Sequence, residues 1–213
     1  MIHPKNEFMI NFNREIHNVD ENKKVSVLIL AAGISRRMNT PKLFLPFDKN
    51  TTFIEKIIST YRNFGCAEIV IVVNKNVAGK LKNLENITIV INEKLEFERF
   101  YSVKLGLQKM EDCDFCFLQD TDNPFITADI LNYIFSENLP DKYIIPSFNG
   151  KGGHPILLPK KIIEKLKNNK KNDVNLKKIL STFISFKLEI PNQKILININ
   201  NPQDYKKYFN FKK

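Results

Sequence analysis

The run Val25-Ser26-Val27-Leu28-Ile29-Leu30 is almost wholly apolar. Runs of that length and make-up form β-strands buried on both faces. Glu68-Ile69-Val70-Ile71-Val72-Val73 and Ile87-Thr88-Ile89-Val90-Ile91 repeat the pattern, and Phe115 to Gln119 gives a fourth such strand. Between these runs the apolar spacing becomes helical. Thr52-Phe53-Ile54-Glu55 is a capping box, after which Ile54, Ile57, Ile58 and Tyr61 fall on one face and Gly65 offers a C-cap. A short helix is predicted over Val77–Leu84 and a longer one over Phe100–Met110, with Val103 and Leu107 inward. Thr127 caps another helix through Ile130, Ile134 and Phe135. Tyr143-Ile144-Ile145-Pro146 reads as a fifth strand, placed near a sheet edge by its proline. Phe183 to Ile190 alternates like a strand, Lys194–Ile199 reads as the last one, and a final helix begins at Pro202.

Strands alternating with helices imply right-handed crossovers. The expected fold is α/β: a three-layer Rossmann-like arrangement, a mostly parallel sheet with helices on both faces. Residues 25–213 form one domain, which suits a chain of 213 residues. Residues 1–24 are polar and weakly patterned and read as an N-terminal extension, in which Met9-Ile10-Asn11-Phe12 is a short strand or a packing arm.

Composition narrows the function classes. The net charge is +10, and eight lysines fall between Lys160 and Lys178. Apolar residues recur among them at helical spacing, so the lysines form a solvated face. There is no aromatic interleaving and no recognised nucleic-acid motif, so nucleic acid is not an expected partner. Attraction of anionic substrates is the milder consequence. No apolar run reaches membrane-spanning length, and Met1 to Glu7 lacks the apolar core of a leader, which predicts a cytoplasmic protein with no membrane partner. Cys113 and Cys116 spell C-x-x-C within an apparent strand, where residues three apart face opposite sides, so they read as buried thiols rather than a metal site.

Ligands of open α/β sheets bind beyond the carboxyl ends of the strands. The first strand runs into Leu30-Ala31-Ala32-Gly33-Ile34-Ser35-Arg36-Arg37-Met38-Asn39-Thr40-Pro41-Lys42. Small residues admit close backbone approach, and the cations that follow suit polyphosphate. It is neither a P-loop nor a G-x-G-x-x-G fingerprint. The fourth strand runs into Asp120-Thr121-Asp122-Asn123-Pro124, whose carboxylates either hold Mg²⁺ or cap a turn. Gly150-Lys151-Gly152-Gly153-His154-Pro155 concentrates three of seven glycines, which implies tight turns or a closely approached ligand.

The loop pattern L-A-A-G-x-S-x-R-M-x-x-P-K resembles the signature of nucleotidyltransferases of the molybdenum-cofactor guanylyl/cytidylyltransferase (MobA/MocA-type) superfamily. Asp122-Asn123-Pro124 is similar to its D-x-P element, Gly150 to Pro155 to the G-x-x-G-H-P of the cytidylyltransferase branch, and Asn198-Ile199-Asn200-Asn201-Pro202 to its late acidic element. Asn92 to Gly106 loosely resembles its N…S-x-x-x-G segment. The likeness runs from Val25 to Tyr205. It departs from the family at Asn39, where glycine is usual, and at Asn198 and Asn200, where the cytidylyltransferase branch has aspartates.

The resemblance implies a fold of the nucleotide-diphospho-sugar transferase type. It also implies a Mg²⁺-dependent enzyme that moves a nucleoside monophosphate from an NTP, here CTP, onto molybdopterin or another phosphate acceptor, releasing pyrophosphate. Its product would pass to a molybdoenzyme client. Lys42, Arg37 and Asp122 would be catalytic, with Arg37 rather than Arg36 as the signature arginine. Leu30, Ala31, Ala32, Gly33, Arg37, Lys42, Ser102 and Gly106 would bind nucleotide, and Gly153 and His154 the acceptor. Asp122 and Asn200, or less readily Asn198, would ligate Mg²⁺, with Asp122 across the cleft from Lys42 and Asp120 structural. Ala32, where the guanylyl branch has glycine, and Gly153-His154-Pro155 point to CTP. Transfer to a sugar or alcohol phosphate, a non-catalytic cofactor-holding relative, and a glycosyltransferase built on Asp120-Thr121-Asp122 are the alternatives, the last disfavoured by the loop from Leu30 to Lys42.

Overall fold

Strand β1 (Val25–Ala31) is buried along its whole length, and its side chains feed two apolar layers in turn. Val25, Val27, Ile29 and Ala31 enter one layer, while Leu28 and Leu30 enter the other. That alternation is what a sheet covered on both faces demands. The computed structural model describes residues 22–209 except 39, 82, 83 and 98. The expected arm at Met9–Phe12 and the departure at Asn39 lie outside the described residues.

The elements follow in chain order. Helix α1 (Phe53–Phe64) is followed by β2 (Glu68–Asn74), the single helical turn α2 (Lys75–Ala78) and β3 (Thr88–Asn92). Helix α3 (Arg99–Lys109), β4 (Phe115–Asp120), α4 (Ala128–Ser136) and β5 (Tyr143–Phe148) come next. Then come β6 (Lys151–Gly152), β7 (Ile156–Pro159), α5 (Lys160–Lys167), α6 (Leu176–Leu180), β8 (Ser185–Glu189) and α7 (Pro202–Tyr208). Strands β3, β2, β1 and β4 pair in that order, all parallel. β7 pairs antiparallel with β4 and β5, and β8 is parallel to β5. β6 opposes β5 with Ser147 against Gly152, and β7 with Ile144 against Leu157. Those registers nearly coincide, so β6 and β7 form one interrupted strand. The sheet is mostly parallel, as expected. Helices α1 and α4 cover one face and α3, α5 and α6 the other.

The local signals explain the helix ends. Thr52 Oγ1 accepts from the Glu55 N–H while the Glu55 carboxylate takes the Thr52 N–H, completing the capping box. Gly65 closes α1 in the left-handed region at φ 91°. Thr127 accepts from the Ile130 N–H at the start of α4. Each of the two threonine N-caps contributes about 1 kcal/mol.

Four expectations need correction. β5 is not at the edge, because β8 flanks it. Pro146 is tolerated because its carbonyl accepts from Gly153 at the break between β6 and β7, where no ladder N–H is needed from it. The segment Lys194–Ile199 is not a strand but a 3₁₀ turn, Gln193–Leu196, followed by extended chain. The fully buried Asn123 amide donates to the carbonyls of Lys194, Ile195 and Ile197, so a side chain satisfies groups that a strand neighbour would otherwise have to serve. The helix expected over Val77–Leu84 is the shorter α2. Cys113 lies before β4 and shares one apolar layer with Cys116, rather than facing the opposite side. Both are buried free thiols, and burial pushes Cys113 up to about 11 and raises Cys116 well above the usual thiol range.

The lysine-rich stretch behaves as read. α5 buries Ile162, Ile163 and Leu166, while Lys160, Lys161 and Lys165 are exposed. Lys161 pairs with Asp141 at 2.9 Å. No described helix is long and apolar enough to cross a membrane.

Gly106 sits on the inner face of α3. A Cβ there would lie 2.2 Å from Leu28 Cδ1 and 2.9 Å from Val72 Cγ2, both in fully buried residues. Glycine therefore sets how closely α3 approaches β1 and β2. Gly106→Ala should destabilise the fold by about 1–3 kcal/mol, the usual cost of overpacking. Urea melts would show it, and an unchanged midpoint would mean that α3 can ride outward freely.

Candidate active site

The signature loop leaves β1 with its ends fixed. Asn74, at the end of β2, donates from Nδ2 to Ala32 O at 3.1 Å. Ser35 adopts a left-handed φ of 52°, and its carbonyl accepts from Met38 N–H at 2.9 Å. Ser35 Oγ then accepts from the Lys42 N–H at 3.2 Å, closing the loop on itself. Met38 is buried in a third apolar cluster with Leu45, Phe53, Ile199 and Phe209. That cluster joins the loop to the chain around Asn200 and to the residue following α7.

The loop walls a cleft of about 620 Å³ at the carboxyl end of the sheet. Of the residues expected to bind nucleotide, Leu30, Ala31, Ala32, Gly33, Arg37, Lys42 and Ser102 line it, as does Arg36. Gly106 does not: its environment is the Leu28 and Val72 side chains. Both arginines are exposed. Ser102 Oγ accepts from Asn92 Nδ2 at 2.9 Å, so the loosely matched segment does put two polar groups on the cleft wall.

Asp122 and Asn200 converge on one atom. Lys42 Nζ donates to Asp122 Oδ2 at 3.1 Å and to Asn200 Oδ1 at 2.8 Å. Asp122 therefore does not stand across the cleft from Lys42. The 3₁₀ turn Lys42–Phe44 carries the ammonium over the end of β4, and the two groups form an ion pair. Asn200 reaches the same point from an extended segment rather than a strand end. The Ile199 N–H fastens that segment to Asp122 O at 2.8 Å. Asn198 Oδ1 is instead buried without a hydrogen-bond partner among the described residues.

The donor set fits Mg²⁺. One carboxylate and one amide oxygen meet at a place that already holds a cationic group, and Mg²⁺ completes its shell with water and phosphate oxygens. Among the described residues, no group of three or more His, Cys, Asp or Glu side chains could hold a metal by itself. A metal here would depend on the phosphates for most of its oxygens.

Asp120 heads a second pair. Its Oδ2 accepts from Arg99 Nη2 at 2.8 Å and faces His154 Nδ1 at 3.4 Å without hydrogen-bond geometry. Burial raises the Asp120 carboxyl above its ordinary range, and Arg99 and then His154 oppose that shift. Asp120 thus lines the cleft as well as bracing it.

The two residues expected to hold the acceptor do not line the cleft. Gly153 is buried, and a Cβ there would lie 2.5 Å from Ile195 O, so the glycine admits protein backbone rather than a ligand. His154 reaches the cleft only through Asp120, and its N–H donates to Ile195 O at 3.0 Å. Sequence reasoning missed Arg99, Thr121, Leu95 and Phe97, all on the cleft wall. Leu95 and Phe97 did leave a signal, as apolar residues in the charged run Glu93 to Arg99.

Residues 27–188 match the MobA-like NTP transferase domain. The chain belongs to this family. It is 30% identical over 184 residues to the molybdenum cofactor cytidylyltransferase of Escherichia coli, covering 85% of this chain and 93% of that one. It is 26% identical to a probable molybdenum cofactor guanylyltransferase of Clostridium perfringens, over 88% of this chain and 91% of that one. The solved structure of Rv0371c from Mycobacterium tuberculosis superposes with a TM-score of 0.76 at 19% identity, covering 87% of this chain and 97% of that one. The fold is shared with that solved structure, and the matched segment holds most of β1, its loop and the Asp122 strand end, while Asn200 lies beyond it.

Proposed function

We propose that this MobA-like protein transfers a nucleoside monophosphate from CTP to the phosphate of molybdopterin, releasing pyrophosphate, with Mg²⁺ as cofactor. The observation that carries the reading is the meeting of Lys42 with Asp122 and Asn200 in a cleft rimmed by Arg36 and Arg37. Support for CTP comes from the cytidylyltransferase relative, from Ala31-Ala32 and from Gly153-His154-Pro155.

In this reading the loop amides and the two exposed arginines receive the triphosphate. Lys42 balances charge that develops as pyrophosphate leaves, the kind of stabilisation fixed cations supply best. An acceptor phosphate is already ionised near neutral pH, so no strong base is required. Asp122 and Asn200 would hold Mg²⁺, whose contribution is to screen and align donor and acceptor oxygens. Arg99, braced by Asp120, adds a further cation to the cleft wall.

A thermal-shift panel of CTP, GTP, ATP and UTP, each with Mg²⁺, tests this. A ligand at a hundredfold excess over its Kd stabilises by about 2.7 kcal/mol. For a domain of this size that corresponds to a Tm rise of about 5–10 °C. CTP should give that rise selectively. Preference for GTP would shift the reading to guanylyl transfer, and indifference to all four would make the chain a non-catalytic holder.

A further inference from the structure

The two oxygens that would hold the metal already hold an ammonium. Lys42 Nζ lies 2.8 Å from Asn200 Oδ1 and 3.1 Å from Asp122 Oδ2, within hydrogen-bond reach of both. An ammonium so placed leaves those oxygens no room for a second shared cation. We propose that Lys42 is the resident counter-ion of the divalent-cation seat, and that metal enters only as Lys42 leaves it for the phosphates of an incoming nucleotide. The proposal rests on the nucleotidyltransferase reading and adds an order of events to it.

The local build favours such an exchange. Ser35 Oγ fixes the Lys42 N–H, and the next residue, Leu43, is buried at 2% exposure. The main chain is therefore held while the side chain remains partly open, at 16% exposure. A flexible four-carbon stem can redirect its charge by rotamer change alone, with no loop rearrangement. The phosphate-facing wall, residues 31–37, belongs to the same loop. Leaving Asp122 and reaching the triphosphate are then one movement.

The exchange also fits the charges. With Lys42 seated, Asp122 is neutralised and the seat has little pull on a free divalent cation. A polyphosphate offers Lys42 a better anion and brings its own metal. The two cations then trade places, and neither carboxylate nor ammonium is left unpaired in the cleft.

The test is Mn²⁺ binding to the nucleotide-free full chain, read by the loss of the free-ion electron paramagnetic resonance signal. Lys42→Met removes the charge and keeps the length. It should lower the Mn²⁺ Kd at least tenfold relative to the natural chain, since a like charge no longer occupies the seat. Lys42→Arg keeps the charge and should show no gain. Adding Asp122→Asn to Lys42→Met should erase the gain. If Lys42→Met fails to melt cooperatively, Lys42→Gln serves the same comparison. An unchanged Kd in the charge-free variant, or a gain that survives Asp122→Asn, overturns the proposal. The nucleotide panel fails separately: a Mn²⁺ gain with no response to any NTP would sink the transfer reading while leaving Lys42 and metal as rivals for one seat.

Discussion

Asp122→Ala should lower nucleotidyl transfer by about three orders of magnitude or more, because several kcal/mol of charge stabilisation depend on the metal it would hold. Transfer between two anions needs alignment and screening more than it needs a base. Asp122 is the carboxylate at the point where Lys42 and Asn200 meet, and an amide oxygen alone is a weak claim on Mg²⁺. The fold should survive the change. The ion pair is part-exposed, at 16% and 25% for Lys42 and Asp122, and pairs of that kind contribute on the order of 1 kcal/mol or less. The Ile199 N–H bond goes to the backbone of Asp122, which alanine keeps. Pyrophosphate release from CTP and Mg²⁺ in the presence of molybdopterin is the assay, with a melt alongside. A well-folded Asp122→Ala chain that keeps a tenth of its turnover would remove Asp122 from the metal site.

The parts of the fold that were legible in the sequence are those set by neighbours in the chain. The Thr52 capping box, the Gly65 cap, the Thr127 cap and the continuous apolar strands all formed where their patterns stand. What was not legible depends on distant partners. β7 is a short strand with three apolar residues, set between Pro155 and a terminal Pro159, too short for a pattern of its own to mark it. The β4 ladder makes it a strand, with Phe117 against Leu157 and Leu118 against Ile156. The run from Lys194 to Ile199 carries strand-like spacing, yet the Asn123 amide draws its carbonyls into a turn. Nothing local in that run encodes Asn123.

The site shows the same division. A glycine in the sequence announces that something lies close, without saying what. The resemblance implies nucleotide at Gly106 and acceptor at Gly153, and the atoms packed against these two glycines are those of Leu28, Val72 and the Ile195 backbone. A Cβ on Gly33 would meet no described atom within 4 Å beyond its chain neighbours, and among the described residues Gly33 is the glycine that lines the cleft. The residues of the loop and of the Asp122 strand end were findable because topology sends both to one sheet edge. The contact between Lys42 and Asp122 was not, because it joins segments far apart along the chain and depends on a 3₁₀ turn that the pattern does not mark.

Lys42→Ala should lower kcat by about two to three orders of magnitude, the scale of losing one group aimed at charge in the transition state. Of the loop cations, Lys42 is the one whose backbone is pinned within the loop and whose ammonium is directed into the cleft. Arg36 and Arg37 stand exposed at the rim, where each can steer a triphosphate but is less well placed to meet the charge on a departing pyrophosphate. The variant has a signature that simple damage to the site would not produce. Emptying the cation seat should tighten Mn²⁺ binding to the nucleotide-free chain, even as the maximal rate falls. Damage that loosened the whole cleft would weaken metal binding and rate together. Measuring Mn²⁺ binding without nucleotide beside the rate at saturating CTP and Mg²⁺ therefore separates the cases. A Lys42→Ala chain that turns over normally would place the catalytic cation elsewhere, with Arg99 on its Asp120 brace the next to test.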